Sequence, residues 1–261
     1  MTSPFKPFIR KIAQYAGLLA RLRIAARGID PLLTVPLAVQ DVDVSTPASR
    51  SVPVLGMLSY LVLLTTLLGG LYLAIDATAG ERERGTLEPL LTVPVRREQL
   101  LYGKILATCA YMTLSLVLTV AAFALLLRHA GLERLGMSVN FGPRVALGVI
   151  GSCLPLVPAG AALMTLVAAG TRSYREAQTW LGLVLLVPTL PLAAAGLLGL
   201  RPRLALMAVP SLSQHFLVTG LLRAEPLPVA YVVVSVAATL AIGAVLVALA
   251  GRLYRRERLL G

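Results

Sequence analysis

Polar and apolar positions are segregated along this chain. Five stretches hold no Asp, Glu, Lys or Arg: Val52 to Ile75, Ile105 to Leu127, Val145 to Thr171, Ala177 to Leu200 and Pro226 to Gly251. Each has at least 23 residues, and about 20 apolar residues carry a helix across a bilayer. Backbone polar groups cannot go unpaired in hydrocarbon, so the runs are expected to be helices rather than open strands. They lack the polar–apolar alternation of a membrane barrel. The expected fold class is all-α: a polytopic membrane protein of about five transmembrane helices.

A sixth run, LALMAVPSLSQHFLVTGLL from Leu204 to Leu222, is uncharged but carries Pro210, Ser211, Ser213, Gln214 and His215 in its middle. Such a cluster suits backbone that lines a cavity or is buried in protein at membrane depth. It is read as two half-helices around Pro210, dipping in from the external side; a sixth span is the alternative. Before the first run, residues 4 to 27 place Phe8, Ile12, Tyr15, Leu19 and Leu22 on one stripe with a period near 3.6, predicting an amphipathic helix. The chain then becomes extended and rich in Pro and Val. Residues 1–51 are expected to be an amphipathic helix and extended segment left from an external domain, and residues 52–261 the transmembrane domain.

Between the first two runs lies GERERGTLEPLLTVPVRREQLLYGK, residues 80 to 104. With Asp76 this segment holds ten of the chain's 36 charges. Thr86 is a plausible N-cap, Leu87, Leu90 and Leu91 give a short apolar face, and Pro89 is tolerated in a first turn. Pro94 ends that turn, and Arg96 to Tyr102 restarts a helix leading into the second run. The alternating Glu81, Arg82, Glu83 and Arg84 cannot all pair with one another by helical spacing; some are expected to pair with a partner or a neighbouring helix. The bland alternative is a solvated loop with anchoring arginines.

Composition fits this picture. The chain is 57% hydrophobic and 14% charged, against about 25% charged in soluble domains. The net charge of +12 does not imply nucleic acid, because the basic residues lie mostly at the ends of apolar runs, where they anchor helices and set orientation. Counting Lys and Arg by loop, five spans with an internal C-terminus put 11 inside and 13 outside, whereas six spans put 16 inside and 8 outside. Without the first 51 residues, five spans give 11 inside and 6 outside. The five-span arrangement, with the charged loop inside, is preferred.

The string AIDATAGERERGTLEPLLTVPVRREQLLYGKI, residues 74 to 105, resembles the signature region of ABC-2 type exporter permeases, in particular the sodium-extrusion branch. The resemblance extends more weakly from about residue 38 to the C-terminus, through VDVSTPASR before the first run and VPSLSQHFLVTGLLRAE before the last. It implies that the loop is cytoplasmic and forms a short coupling helix docked on an ABC ATPase subunit. The implied partner-binding residues are Glu81, Arg82, Glu83, Arg84, Gly85, Thr86, Leu87, Glu88, Leu90 and Leu91. It also implies a homodimer or heterodimer of permeases in the cell (inner or plasma) membrane, with ATP and Mg on the partner ATPase and no cofactor in this chain. The exported substrate would be sodium or a drug-like or lipid molecule. Members of the family begin with a cytoplasmic tail, a first span and a large external domain. This chain departs from that pattern and is expected to lack the first span, as a shortened chain or a split subunit.

Other chemistry finds little footing. Gly103-Lys104 lacks the upstream glycine of a phosphate-binding loop, so ATP would be bound by another chain. Neither HExxH, GxSxG nor CxxC occurs. Cys109 and Cys153 fall inside apolar runs and are read as packing residues. His129 lies at a loop edge. His215 is either a cavity-facing polar group or, the favoured reading, an interfacial histidine. The absence of charge in the five runs argues against a secondary transporter driven by protons or sodium. An intramembrane enzyme would need a partner for Ser152 or Ser235, and a membrane scaffold is the remaining alternative. Thr65, Thr66, Thr113, Ser115 and Thr119 could line a path, but such hydroxyls more often bond helix backbone or pack between helices. Tyr174 and Trp180 read as interface anchors.

Overall fold

The computed structural model describes residues 15–17, 19–20, 22–23, 25–28, 47–86, 94–129 and 141–255. The chain divides into two units, Met1–Val44 and Ser45–Gly261. In the first, the described residues from 15 to 25 are helical and the helix closes on Gly28, whose φ of +76° a side chain would disfavour. Tyr15, Leu19 and Leu22 of the expected stripe are exposed; Phe8 and Ile12 lie outside the described residues.

The second unit is helical, and no strand occurs among its described residues. Its elements are α1 (Pro47–Ile75), α2 (Arg97–His129), α3 (Pro143–Cys153), α4 (Leu156–Ala169), α5 (Tyr174–Val184), α6 (Leu186–Leu198), a 3₁₀ turn (Leu204–Ala208), α7 (Leu212–Leu222) and α8 (Val229–Arg255). Among the described residues five spans are long and apolar enough to cross a membrane: Pro53–Glu83, Glu98–His129, Pro143–Ala169, Tyr174–Leu198 and Val229–Arg252. They match the five uncharged runs.

Two spans are broken, which run length alone did not reveal. The third divides at Leu154–Pro155 and the fourth at Leu185. Proline lacks the N–H that would bond the carbonyl four residues back. Pro158 therefore leaves Leu154 without its helical donor, and Pro188 does the same to Val184. The first break falls at Leu154 itself and the second directly after Val184.

Tight contact between small residues holds the spans together. A Cβ on Gly69 would lie 2.4 Å from the Cβ of Ser115, and one on Gly243 would lie 3.2 Å from the backbone nitrogen of Ala159. Lipid supplies no hydrophobic drive between helices, so such close approach, with interhelical hydrogen bonds, is the usual source of association. The Ser115 hydroxyl donates to the Thr65 carbonyl at 2.8 Å, and Thr119 donates to the Thr65 hydroxyl at 3.1 Å. Thr66 bonds Val62 O at 2.6 Å and Thr113 bonds Cys109 O at 2.8 Å. These hydroxyls thus serve backbone and helix contacts. Around them lie two apolar clusters. One is centred on Leu71, Ile75, Leu101, Met112 and Met164; the other on Leu55, Leu63, Leu116, Val149 and Val218.

The segment around Pro210 forms two short helical pieces, as expected. Ser211 sits at the tip with φ +66°, rare for a residue with a side chain. Its hydroxyl donates to Pro188 O at 2.7 Å, while its N–H donates to the Gln214 side chain at 2.6 Å. Gln214 donates to Thr239 at 2.9 Å and Ser235 donates to Ser213 at 2.9 Å. Thr239 stands ten residues into α8, about 15 Å along its axis at 1.5 Å per residue. That is half of a hydrocarbon core about 30 Å thick, so the tip reaches the middle of the membrane. His215 shares a 2.5 Å hydrogen bond with Ser59 and faces a cavity. This is the less favoured of its two sequence readings.

Gly69→Val should force α1 and α2 apart and destabilise the protein by about 1–3 kcal/mol, read as a lowered unfolding temperature in detergent. Gly182→Val, where the new side chain meets open space, should shift it far less.

Candidate functional site

The charged loop begins as a helix. Pro53–Glu83 runs through 31 residues, about 46 Å at 1.5 Å per residue, which is longer than the hydrocarbon core. Its last part therefore projects beyond the bilayer and carries the alternating charges with it. Asp76–Gly80 is a π-helical turn inserted before them. From that turn Thr78 donates its hydroxyl back to Ala74 O of α1 at 2.5 Å.

Successive helical residues point about 100° apart, so four neighbouring charges face four directions. Each finds a separate partner inside this chain. Glu81 meets Lys104 of α2 at 2.5 Å, with the Lys104 side chain only 10% exposed. Arg82 reaches the end of the third span, donating to Thr171 O at 2.5 Å and Ala169 O at 3.1 Å. Glu83 accepts from the Tyr174 N–H at 2.7 Å, at the start of the fourth span. Arg84 folds back on Asp76 at 2.8 Å, with both side chains more than half exposed. A Cβ on Gly80 would lie 3.2 Å from both the Asp76 carboxylate and the Arg84 guanidinium, so glycine leaves room for that pair.

The two central residues explain the alternation of sign. A helix C-terminus leaves unpaired carbonyls and partial negative charge; an N-terminus leaves unpaired N–H groups and partial positive charge. The short turn Gly170–Ser173 puts the C-terminus of α4 beside the N-terminus of α5. Arg82 satisfies the first and Glu83 the second. Ser173 and Glu176 complete the α5 start, with the Ser173 hydroxyl accepting from Glu176 N at 3.2 Å and the Glu176 carboxylate from Arg172 N at 2.8 Å. The Nε of Arg82 is buried and has no partner.

Gly85 and Thr86 end the projecting helix. Gly85 has φ +69°, and its N–H donates to Arg82 O at 3.1 Å. The Thr86 N–H donates to Glu81 O at 3.0 Å, and its hydroxyl bonds the same oxygen at 3.2 Å. This is the left-handed C-terminal cap in which glycine is favoured. Thr86 thus closes the helix before it. Leu87, Glu88, Leu90 and Leu91, with the short helix expected there, lie outside the described residues. The chain bends at Pro94–Val95 and α2 starts at Arg97, matching the expected restart.

The structure thus brings Glu81, Arg82, Glu83 and Arg84 together with Asp76, Lys104, Thr171 and Tyr174. From sequence Lys104 is only one of the loop's basic residues and Tyr174 only an interface residue. Their roles arise from backbone and side-chain contacts across 23 to 91 residues of sequence, which no local spacing signals. Trp180 lies two turns into α5 with half its surface exposed. Among the described residues, no group of His, Cys, Asp and Glu could hold a metal ion.

Comparison with known proteins places the chain beside a transporter family and a bacterial permease. The family model described as "ABC-2 family transporter protein" matches residues 18–259. The ABC transporter permease protein NatB of Bacillus subtilis (strain 168) is 27% identical over 184 residues, covering 69% of this chain and 47% of that protein. The aligned part is therefore about half the length of that relative.

Arg82→Gln should leave the Ala169 and Thr171 carbonyls without that donor, at a cost of about 1–3 kcal/mol, and Glu83→Gln should weaken the hold on Tyr174. Both should speed amide hydrogen exchange across residues 171–178. Arg84→Gln breaks an exposed pair worth about 0–1 kcal/mol and should leave exchange there near the wild-type rate.

Proposed function

The chain belongs to the ABC-2 family of transporter proteins, and from that premise we propose that it is the membrane-spanning permease subunit of an ATP-driven exporter. It is a multi-pass membrane protein of the plasma membrane. In this reading the charged loop is cytoplasmic, and residues 81–91 form the element that docks on a separate ABC ATPase. ATP and Mg belong to that partner. Two permease subunits, identical or different, complete the assembly, and the exported substrate is sodium or a drug-like or lipid molecule. The similarity to a Bacillus subtilis protein named as an ABC transporter permease supports the permease role.

The observation that carries the reading is the way the loop is seated. The helix that delivers it is hydrogen-bonded or ion-paired to the ends of the second, third and fourth spans through Glu81, Arg82 and Glu83. Force applied to residues 87–91 would reach those spans without first taking up slack in a loose loop. Movement of the ATPases on binding and hydrolysing nucleotide would then switch the access of the pathway. The π-helical turn at Asp76–Gly80 lies where the projecting segment leaves the rest of α1, and such turns are frequent at functional sites.

The test is co-purification of the tagged chain in mild detergent with an ABC ATPase. An ATPase should come with the wild type and be lost from a Leu87→Asp, Leu90→Asp variant that remains folded. No ATPase with a folded wild-type chain, or equal recovery with the variant, would refute the docking role.

A further inference from the structure

A cavity of about 970 Å³ lies among α6, α7 and the neighbouring ends of α1 and α8. A water molecule occupies about 30 Å³ of liquid, so the space far exceeds what a small hydrated ion needs. It falls in the range of sites for organic ligands, about 300–1,000 Å³. One wall follows α6, where Leu186 and Leu190 line the cavity and are 50% and 63% exposed. Phe216 of α7 forms part of the facing wall. The 13 residues of α6 span about 20 Å, enough to follow one leaflet of a core about 30 Å thick.

Charge is confined to one end. Arg201 lies just past the end of α6, and Arg223 is the residue that caps α7. Glu225 is the one acidic residue in the lining, and it sits 3.5 Å from Arg223. Among the described residues Arg201 has no carboxylate within ion-pair distance. The mouth is thus net positive over an apolar slot. A cation would meet two guanidiniums at the mouth and a single carboxylate already beside one of them. An anionic group would find two guanidiniums, which suit carboxylate and phosphate geometry.

We propose that this cavity binds an anionic lipid from the membrane leaflet on its side, with the acidic headgroup at Arg201 and Arg223 and the hydrocarbon along α6 and α7. The tail enters because lipid-sized apolar surface is left uncovered between these helices. The headgroup is selected because the mouth carries two positive charges against one negative. The inference goes beyond the permease reading and concerns binding alone, so ATPase docking and lipid binding can fail separately.

The test places the full chain in phosphatidylcholine nanodiscs containing a trace of lipid with a photoreactive acyl chain. The headgroup is phosphatidylglycerol in one arm and phosphatidylcholine in the other. After illumination, labelled peptides are identified by mass spectrometry. The phosphatidylglycerol probe should label the peptide containing Leu186–Leu198 several-fold more than the phosphatidylcholine probe. Arg201→Gln with Arg223→Gln should erase that difference, whereas Arg252→Gln at the far end of α8 should keep it. Glu225→Gln, which removes the competing carboxylate, should increase the preference and does not depend on the double variant folding. Excess inorganic phosphate should not displace the probe. Equal labelling by the two lipids, or a preference unchanged in both the arginine and the Glu225 variants, would overturn the proposal. Displacement by phosphate alone would show a simple anion site and overturn it equally.

Discussion

The grip of Arg82 and Glu83 on the turn between the third and fourth spans is the constraint on which the rest of this end of the protein depends. A helix end and a helix start meet there, with unpaired carbonyls on one side and unpaired N–H groups on the other. Adjacent residues of opposite sign on a third helix meet both needs. Glu81 adds Lys104 of the second span. A single helical turn therefore ties together four spans, just where the family resemblance implies that force enters.

The membrane interior is organised differently, because charge is excluded from it. There, glycine and small hydroxyl residues let α1, α2, α4 and α8 approach closely. The half-helix α7 is held at mid-membrane by an uncharged network of Ser211, Ser213, Gln214, Ser235 and Thr239. The network also reaches the fourth span, where the carbonyl of Pro188, three residues past the break at Leu185, accepts the Ser211 hydroxyl. The unusual backbone at Ser211 is thereby fixed by two hydrogen bonds. Rigid helix ends at one face and a polar, interrupted interior toward the other suit a protein that converts movement at one surface into a change of access.

Much of this fold was legible as sequence. Uncharged runs marked all five spans because hydrocarbon tolerates few alternatives, and Pro210 with its polar neighbours marked the half-helices. Counting Lys and Arg alone favoured six spans. It failed because the segment from Leu204 to Leu222 is long enough to cross but turns at Ser211. The interruptions at Leu154 and Leu185 were readable in principle from Pro158 and Pro188, since these prolines remove the donors that the carbonyls of Leu154 and Val184 would use. The charge quartet was recognisable as a motif, and its alternation implied several partners. Which partners was not recoverable, because those of Arg82 and Glu83 are backbone groups whose identity leaves no mark on side-chain type. His215 was under-read for a related reason: its partner Ser59 lies 156 residues away.

Whether Arg82 and Glu83 hold the projecting helix against the fourth span is measured most directly as a distance. Spin labels at Thr86 and Arg175, read by pulsed electron resonance in nanodiscs, report the separation of the two elements. A single narrow distribution in the wild-type background that broadens or lengthens on Arg82→Gln with Glu83→Gln is the predicted result. An equally narrow, unshifted distribution in that variant would contradict the account, because something other than the paired charges would then be holding the loop in place.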